Sequence, residues 1–200
     1  MKEEEMIRRK IISSAKILFN RYGVKKTRLK EIANTLDKGK NMLYHYFPSK
    51  SDLFLEVAKE EAKELSTRLQ NGFARSTTQR QKLKFFLLIQ LKIPTDYKSL
   101  QTLLKYDVFG KMDIINDLRK EYFNLQMETV QHLLSTGVST KEFKPLSNDQ
   151  TATISYTMIA FINSFEYPSH FKPANINLQV GLNSIIDMMF SGLAKKQAEE

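Results

Sequence analysis

Thr27-Arg28-Leu29-Lys30-Glu31-Ile32-Ala33-Asn34-Thr35-Leu36, Asp37-Lys38-Gly39 and Lys40-Asn41-Met42-Leu43-Tyr44-His45-Tyr46-Phe47-Pro48 form one continuous run with an unambiguous pattern. Leu29, Ile32, Ala33 and Leu36 recur at helical spacing behind Thr27, which stands where an N-cap belongs. The capping box reads as incomplete, with Lys30 where an acid is wanted. Asp37-Lys38-Gly39 is a turn signal, and Pro48 stops the helix that follows. Two short helices joined by a tight turn make a helix-turn-helix. On a helical wheel Leu43, Tyr46 and Phe47 fall on one side, while Lys40, Asn41, Tyr44 and His45 fall opposite.

The flanking sequence supplies the rest of a small core. Upstream, Ile7, Ile11, Ala15, Leu18, Phe19 and Tyr22 make one apolar stripe, with Arg8, Arg9, Ser13, Lys16 and Asn20 elsewhere on the wheel and Gly23 ending the helix. Downstream, Ser49 and Asp52 form a capping-box pattern ahead of Leu53, Val57, Ala58, Ala62, Leu65 and Leu69. This helix, starting near residue 50, reads as the connector to the remainder of the chain.

Charge points the same way. The 200 residues carry 31 Lys and Arg against 22 Asp and Glu, a formal +9. Residues 6–50 hold twelve basic side chains and only Glu31 and Asp37 as acids, so this module is +10 and the rest of the chain −1. A charge confined to a quarter of the chain reads as a binding surface for a polyanion. A helix of eight residues is about 12 Å long, short enough to enter a major groove. Its outer ammonium, amide, phenol and imidazole can bond phosphates and base edges.

Other classes have little support. Cysteine is absent, which excludes disulfide scaffolds, thiolate metal sites and cysteine nucleophiles. Seven Gly and five Pro supply few tight turns, so an all-α fold is expected. Glu128 with His132 is the one acid–imidazole pair at helical spacing, and the glycines are scattered, so no catalytic residues, metal site or cofactor are expected. Met1-Lys2-Glu3-Glu4-Glu5 is no secretory signal, and the uncharged stretch between Asp149 and Glu166 is too short and polar to span a bilayer, so the chain reads as soluble and cytoplasmic. The competing reading is a helical lipid-binding or membrane-surface protein anchored by its basic N-terminus. The apolar residues of 7–36, however, lie on two short helices that can satisfy one another.

Beyond Gln79 the pattern predicts helices near 79–92, 99–109, 112–136, 148–166 and 175–195, with breaks at Pro94, Gly110, Gly137 to Pro145 and Pro168 to Pro173. Ser147 with Gln150 makes a capping box. The last two helices are strongly apolar. Ile154, Met158, Ile162 and Phe165 crowd one, and Leu178, Leu182, Ile185 and Met189 line the other. Spacing alone leaves each open to reading as core or as interface.

Ile11 through Phe19, Gly23, Thr27, Ile32-Ala33, Leu43-Tyr44-His45-Tyr46-Phe47, Lys50 and Leu53 resemble the DNA-binding domain of the tetracycline-repressor (TetR) family of transcriptional regulators, over Ile7 to Val57. Two departures stand out: the family commonly has Gly where this chain has Asp37, and Ser or Thr where it has Gly39. The resemblance implies a DNA-binding domain over 1–50 and a helical effector-binding and dimerisation domain over 51–200. It implies phosphate contacts from Thr27, Tyr44 and Lys50, and base readout from Arg28, Lys40, Asn41, Met42 and His45, with Lys38 of the turn also at the DNA. It further implies a homodimer through the last two helices, at Ile154, Met158, Ile162, Phe165, Leu178, Leu182, Ile185 and Met189, reading a palindromic operator in double-stranded DNA. A small, apolar or aromatic effector would sit among Phe86, Tyr106, Phe123, Met127, Tyr156, Ile159 and Asn163, although each also reads as ordinary core. Effector binding would release a repressor from DNA.

Overall fold

The computed structural model describes residues 2–106, 110, 112–164 and 178–193, all helices and connections. The helices are α1 (Lys2–Tyr22), α2 (Leu29–Asn34), α3 (Lys40–Tyr46), α4 (Lys50–Arg75), α5 (Gln79–Gln90), α6 (Ile93–Asp96), α7 (Lys98–Lys105), α8 (Met112–Ser139), α9 (Asn148–Ser164) and α10 (Leu178–Leu193). The chain forms two compact units, one of residues 1–67 with 93–119 and the other of 68–92 with 120–200. This differs from the expected division at residue 50. The first unit recruits a distant segment, and α4 runs uninterrupted through the change of unit after Thr67.

The first unit, the head, is built on Ile11, Ala15, Phe19, Ile32, Ala33, Leu43, Leu53, Phe54, Val57 and Ala58, all buried, with Leu103 and Ile115 joining from the later segment. Each Ile, Leu, Phe or Val of this set contributes roughly 1.5–3 kcal/mol by leaving water. Phe19 and Phe54 meet edge to face with ring centroids 5.9 Å apart. Tyr22, expected on the inner stripe, is half exposed instead and lies under the Arg21 guanidinium. Pro94, expected as a break, lies inside the short helix α6, where a first-turn proline sacrifices no intrahelical hydrogen bond.

The second unit, the body, packs α5, α9 and α10 with most of α8 around Leu83, Phe86, Leu87, Val130, Leu134, Met158, Ile159, Ile186 and Phe190. The anticipated box at Ser147 and Gln150 is present, each residue's backbone N–H donating to the other's side chain. A second box, Thr78 with Gln81, starts α5. Gly137 allows a close approach: a Cβ there would lie 2.2 Å from the Phe143 ring, which stacks on Phe190.

The residues suggested for the effector cavity do not share one environment. Phe86 and Ile159 are core, Phe123 and Met127 pack partly against it, and Tyr156 and Asn163 lie on the exposed side of α9. Tyr106, also exposed, belongs to the other unit. The residues suggested for dimerisation divide similarly. Met158 and Ile162 are buried in the body's own core, with Ile154, Ile185 and Met189 half-buried. Phe165 lies outside the described residues, as do the side chains of Leu178 and Leu182. The face of α9 left to solvent carries Thr153, Tyr156, Thr157, Ala160 and Asn163, and that of α10 carries Gly181, Ser184, Met188 and Ser191. No helix among the described residues is long and apolar enough to cross a membrane.

Candidate nucleic-acid interface

The helix α3 starts at Gly39, an N-cap in extended conformation that supplies no side-chain bond, and ends at Phe47, whose N–H donates to Leu43 O. Leu43 and Phe47 are buried, as the wheel predicts, and this turns Lys40, Asn41, Tyr44 and His45 outward. Met42 is half-buried and packs against the head core. The turn before α3 is closed by Asp37 at φ 54°, the left-handed conformation that a glycine there would adopt without strain. Lys38 is exposed beside it, its N–H bonded to Ala33 O.

The far end of α3 is locked by charge. The Arg8 guanidinium sits 5.2 Å from the centre of the Phe47 ring and pairs with Glu56. Hydrogen bonds from Lys59 and Arg8 hold the Glu56 carboxyl below the usual carboxylate range. The recognition surface is thus fixed by residues from α1 and α4.

Beside α3 lies a shallow concavity of about 740 Å³ whose lining includes Lys25, Lys26, Thr27, Arg28, Lys30, Lys40, Tyr44 and Lys50. The Lys40 ammonium lies 5.1 Å from the centre of the Tyr44 ring, so the phenol is oriented and partly covered by a cation. Arg28, not Thr27, is the N-cap of α2, and its N–H donates to Glu31 Oε2 at 2.7 Å. The acid that seemed missing is Glu31, one residue beyond the expected position. Thr27 is only 1% exposed, and its hydroxyl donates to Gly23 O at 2.9 Å. A buried, bonded hydroxyl is not offered to a phosphate.

Lys50 is similarly engaged: its Nζ donates to Val24 O, Thr27 O and Lys25 O at 2.9, 3.1 and 3.3 Å. Of the anticipated contacts, Arg28, Lys40 and Tyr44 therefore gather at the concavity with their polar atoms toward solvent, while Asn41 and His45 occupy the exposed face of α3. Lys25, Lys26 and Lys30 were not singled out from the sequence. Their signal was the basic pair following Gly23 and the outward place of Lys30 on the α2 wheel.

Within this unit one ionisable group lies deep. Glu61 is 0% exposed, accepts the Leu100 N–H at 2.8 Å and faces the Asn20 amide. Burial raises its carboxyl above the ordinary value of 4.5, against the opposing pull of the Leu100 and Ser99 N–H groups, Lys16 and Asn20. It ties α7 to α4 and α1 inside the head. Among the described residues no group of His, Asp and Glu is placed to hold a metal ion.

Residues 11–57 match the family model described as bacterial regulatory proteins, tetR family. The HTH-type transcriptional regulator QacR of Staphylococcus aureus is 25% identical over 190 residues, covering 93% of this chain and 97% of that protein. A transcriptional regulator from Saccharomonospora viridis, solved with choline, superposes with a TM-score of 0.80 at 18% identity, over 96% of this chain and 100% of that one. FadR from Bacillus subtilis, solved with stearoyl-CoA, gives 0.66 at 18% identity over 92% and 98% of the two chains. With an outward-facing recognition helix beside a cationic rim, residues 11–57 match the tetR-family model, and nearly the whole chain is similar to QacR and shares the fold of these solved regulators.

Proposed function

We propose that this regulator is a cytoplasmic, homodimeric repressor that reads a palindromic operator and is released by a small, largely apolar or aromatic effector. The observation that carries the reading is the exposed set Lys40, Asn41, Tyr44 and His45 on α3, flanked by Lys25, Lys26 and Arg28. Lys25 and Lys26 engage phosphates without reading sequence, and Arg28 stands beside them for base readout. Asn41 can pair bidentately with adenine, and Lys40 can reach guanine. One such helix reads only a few base pairs, so specificity needs two heads about one DNA turn, roughly 35 Å, or a little more apart.

The unpartnered faces of α9 and α10 support pairing of two copies. Tyr156 and Met188 are 58% and 64% exposed there, with Ala160, Gly181 and Ser184 small enough to admit a second helix closely. The effector reading draws on the body's Met and aromatic content and on the similar regulators solved with choline and with stearoyl-CoA, molecules bound by those proteins.

Selection from random duplexes tests the reading. The expected product is a two-fold symmetric site retained by a dimer, and anionic vesicles are expected to retain nothing. An asymmetric single half-site bound by a monomer would overturn it. Met188→Glu is expected to dissociate the dimer in sedimentation while leaving the head folded; a variant that still sediments as a dimer moves the interface elsewhere.

A further inference from the structure

We propose that Lys50 is a positioning residue of the DNA-binding surface, which shapes the cationic rim by holding the loop at residues 24–27 and does not itself bind phosphate. An ammonium has three N–H donors and no acceptor. In Lys50 these donors meet three backbone carbonyls, Val24 O at 2.9 Å, Thr27 O at 3.1 Å and Lys25 O at 3.3 Å. Carbonyl oxygens converging on one point repel one another unless a cation sits among them, and each would otherwise need a separate partner. Bonds from a charged donor are about twice as strong as neutral ones. Turning this ammonium toward a phosphate would cost at least one of the three and free the loop it closes.

The loop has few other ties. It leaves α1 at Gly23, whose φ of +81° sets the turn, and is pinned from beneath by the buried Val24 side chain and by the Thr27 hydroxyl on Gly23 O. The outward side chains are Lys25, Lys26 and Arg28. Those three cations occupy the rim, and Lys50, from the first turn of α4, joins their backbone to the helix that follows the recognition helix. The charge that touches DNA and the charge that places it are therefore different side chains.

Salt dependence separates the two roles. Each phosphate neutralised contributes about 0.9 to the slope of log affinity against log salt. For Lys50→Met in the full-length protein with a mixed-sequence DNA duplex, affinity is expected to fall about tenfold with the slope unchanged, because the number of phosphates contacted by well-placed cations is retained. Amide hydrogen exchange at residues 24–28 of the DNA-free protein is expected to accelerate. Lys26→Met is expected to do the reverse, lowering the slope by about 0.9 and leaving loop exchange as it was.

A slope reduced by about 0.9 in Lys50→Met overturns the proposal whatever the exchange shows, as do unchanged exchange or unchanged affinity. Should Lys50→Met fail to fold, the wild-type side-chain ammonium resonance decides. Its signal is expected to persist with little change on adding the duplex, and a hydrogen-bond coupling from its nitrogen to a DNA phosphorus would overturn the proposal. The slope of the wild-type protein is measured first, so absence of duplex binding altogether is distinguished from a wrong role for Lys50.

Discussion

The head and the body differ in the polar group each buries most deeply, a carboxyl in the head and neutral amides in the body. In the head, charge sits at the structural junctions: the Lys50 ammonium among three carbonyls, the Glu61 carboxylate on the α7 backbone, and Arg8 between Phe47 and Glu56. In the body, the deep polar cluster is formally neutral, with Gln90 Oε1 accepting from Tyr122 at 2.7 Å and from Gln126 at 3.2 Å, and burial pushes the Tyr122 phenol far above its ordinary range. Elsewhere the body relies on fit, as where Gly137 admits the Phe143 ring. Charge-assisted bonds are strong and directional and hold a surface in one geometry. Neutral hydrogen bonds are weaker and exchange partners at lower cost. On the proposed function, the surface that meets a DNA groove of fixed dimensions would benefit from the first arrangement, and an effector-binding body from the second.

The comparison breaks most decisively at Glu61. Glu61→Leu leaves the Leu100 N–H and the Asn20 amide unpaired in the head core, and is expected to cost about 3 kcal/mol in denaturant unfolding. Glu61→Gln keeps an acceptor and removes the charge, and it tests the ionisation. A carboxyl whose folded value is raised contributes its full share of stability below its ordinary value of 4.5 and loses it as pH rises through the raised value. The wild-type head should therefore lose stability relative to Glu61→Gln over that window, and denaturation midpoints that run parallel across it would show that Glu61 is not perturbed.

Packing in the body should fail differently. Gly137→Ala places a Cβ 2.2 Å from the Phe143 ring, and the overpacking is expected to cost about 2 kcal/mol in the body while leaving the salt slope of DNA binding unchanged. The smallest effect sharpens the picture of α3 itself. Gly39→Ser supplies the missing side-chain cap at a position with φ −72° and open space around it, and a gain of about 0.3 kcal/mol in thermal stability is expected. A loss at Gly39→Ser would mean that a side chain at this position does not cap α3.

Much of the head was legible because its signals are local. Leu43 and Phe47 face inward, Lys40, Asn41, Tyr44 and His45 face outward, the box at Ser147 forms where expected, and at Ser49 half of one forms, the Asp52 N–H donating to Ser49 Oγ. Thr27 and Lys50 direct their donors to backbone carbonyls, which the sequence hides for one reason: residue type announces a hydroxyl or an ammonium and does not say which carbonyl it will meet. The body was harder. Met158, Ile159 and Ile162 are apolar at helical spacing, a pattern that suits a dimer seam as well as a core, and only the packing of α5 against α9 within the body core turned them inward.

By itself, then, the sequence determined the order and extent of most helices, the helix-turn-helix, and the concentration of charge in the first fifty residues. Caps, turns and amphipathic faces depend on neighbours within about four positions, and such neighbours are written side by side. Only the tertiary structure decided that residues 93–119 belong with the head, that Lys50 closes a loop 23 residues upstream at Thr27, and that Glu61 meets the backbone 39 residues downstream at Leu100. A buried charge takes whichever partners the closed chain brings within reach, and those partners exist as neighbours only after folding.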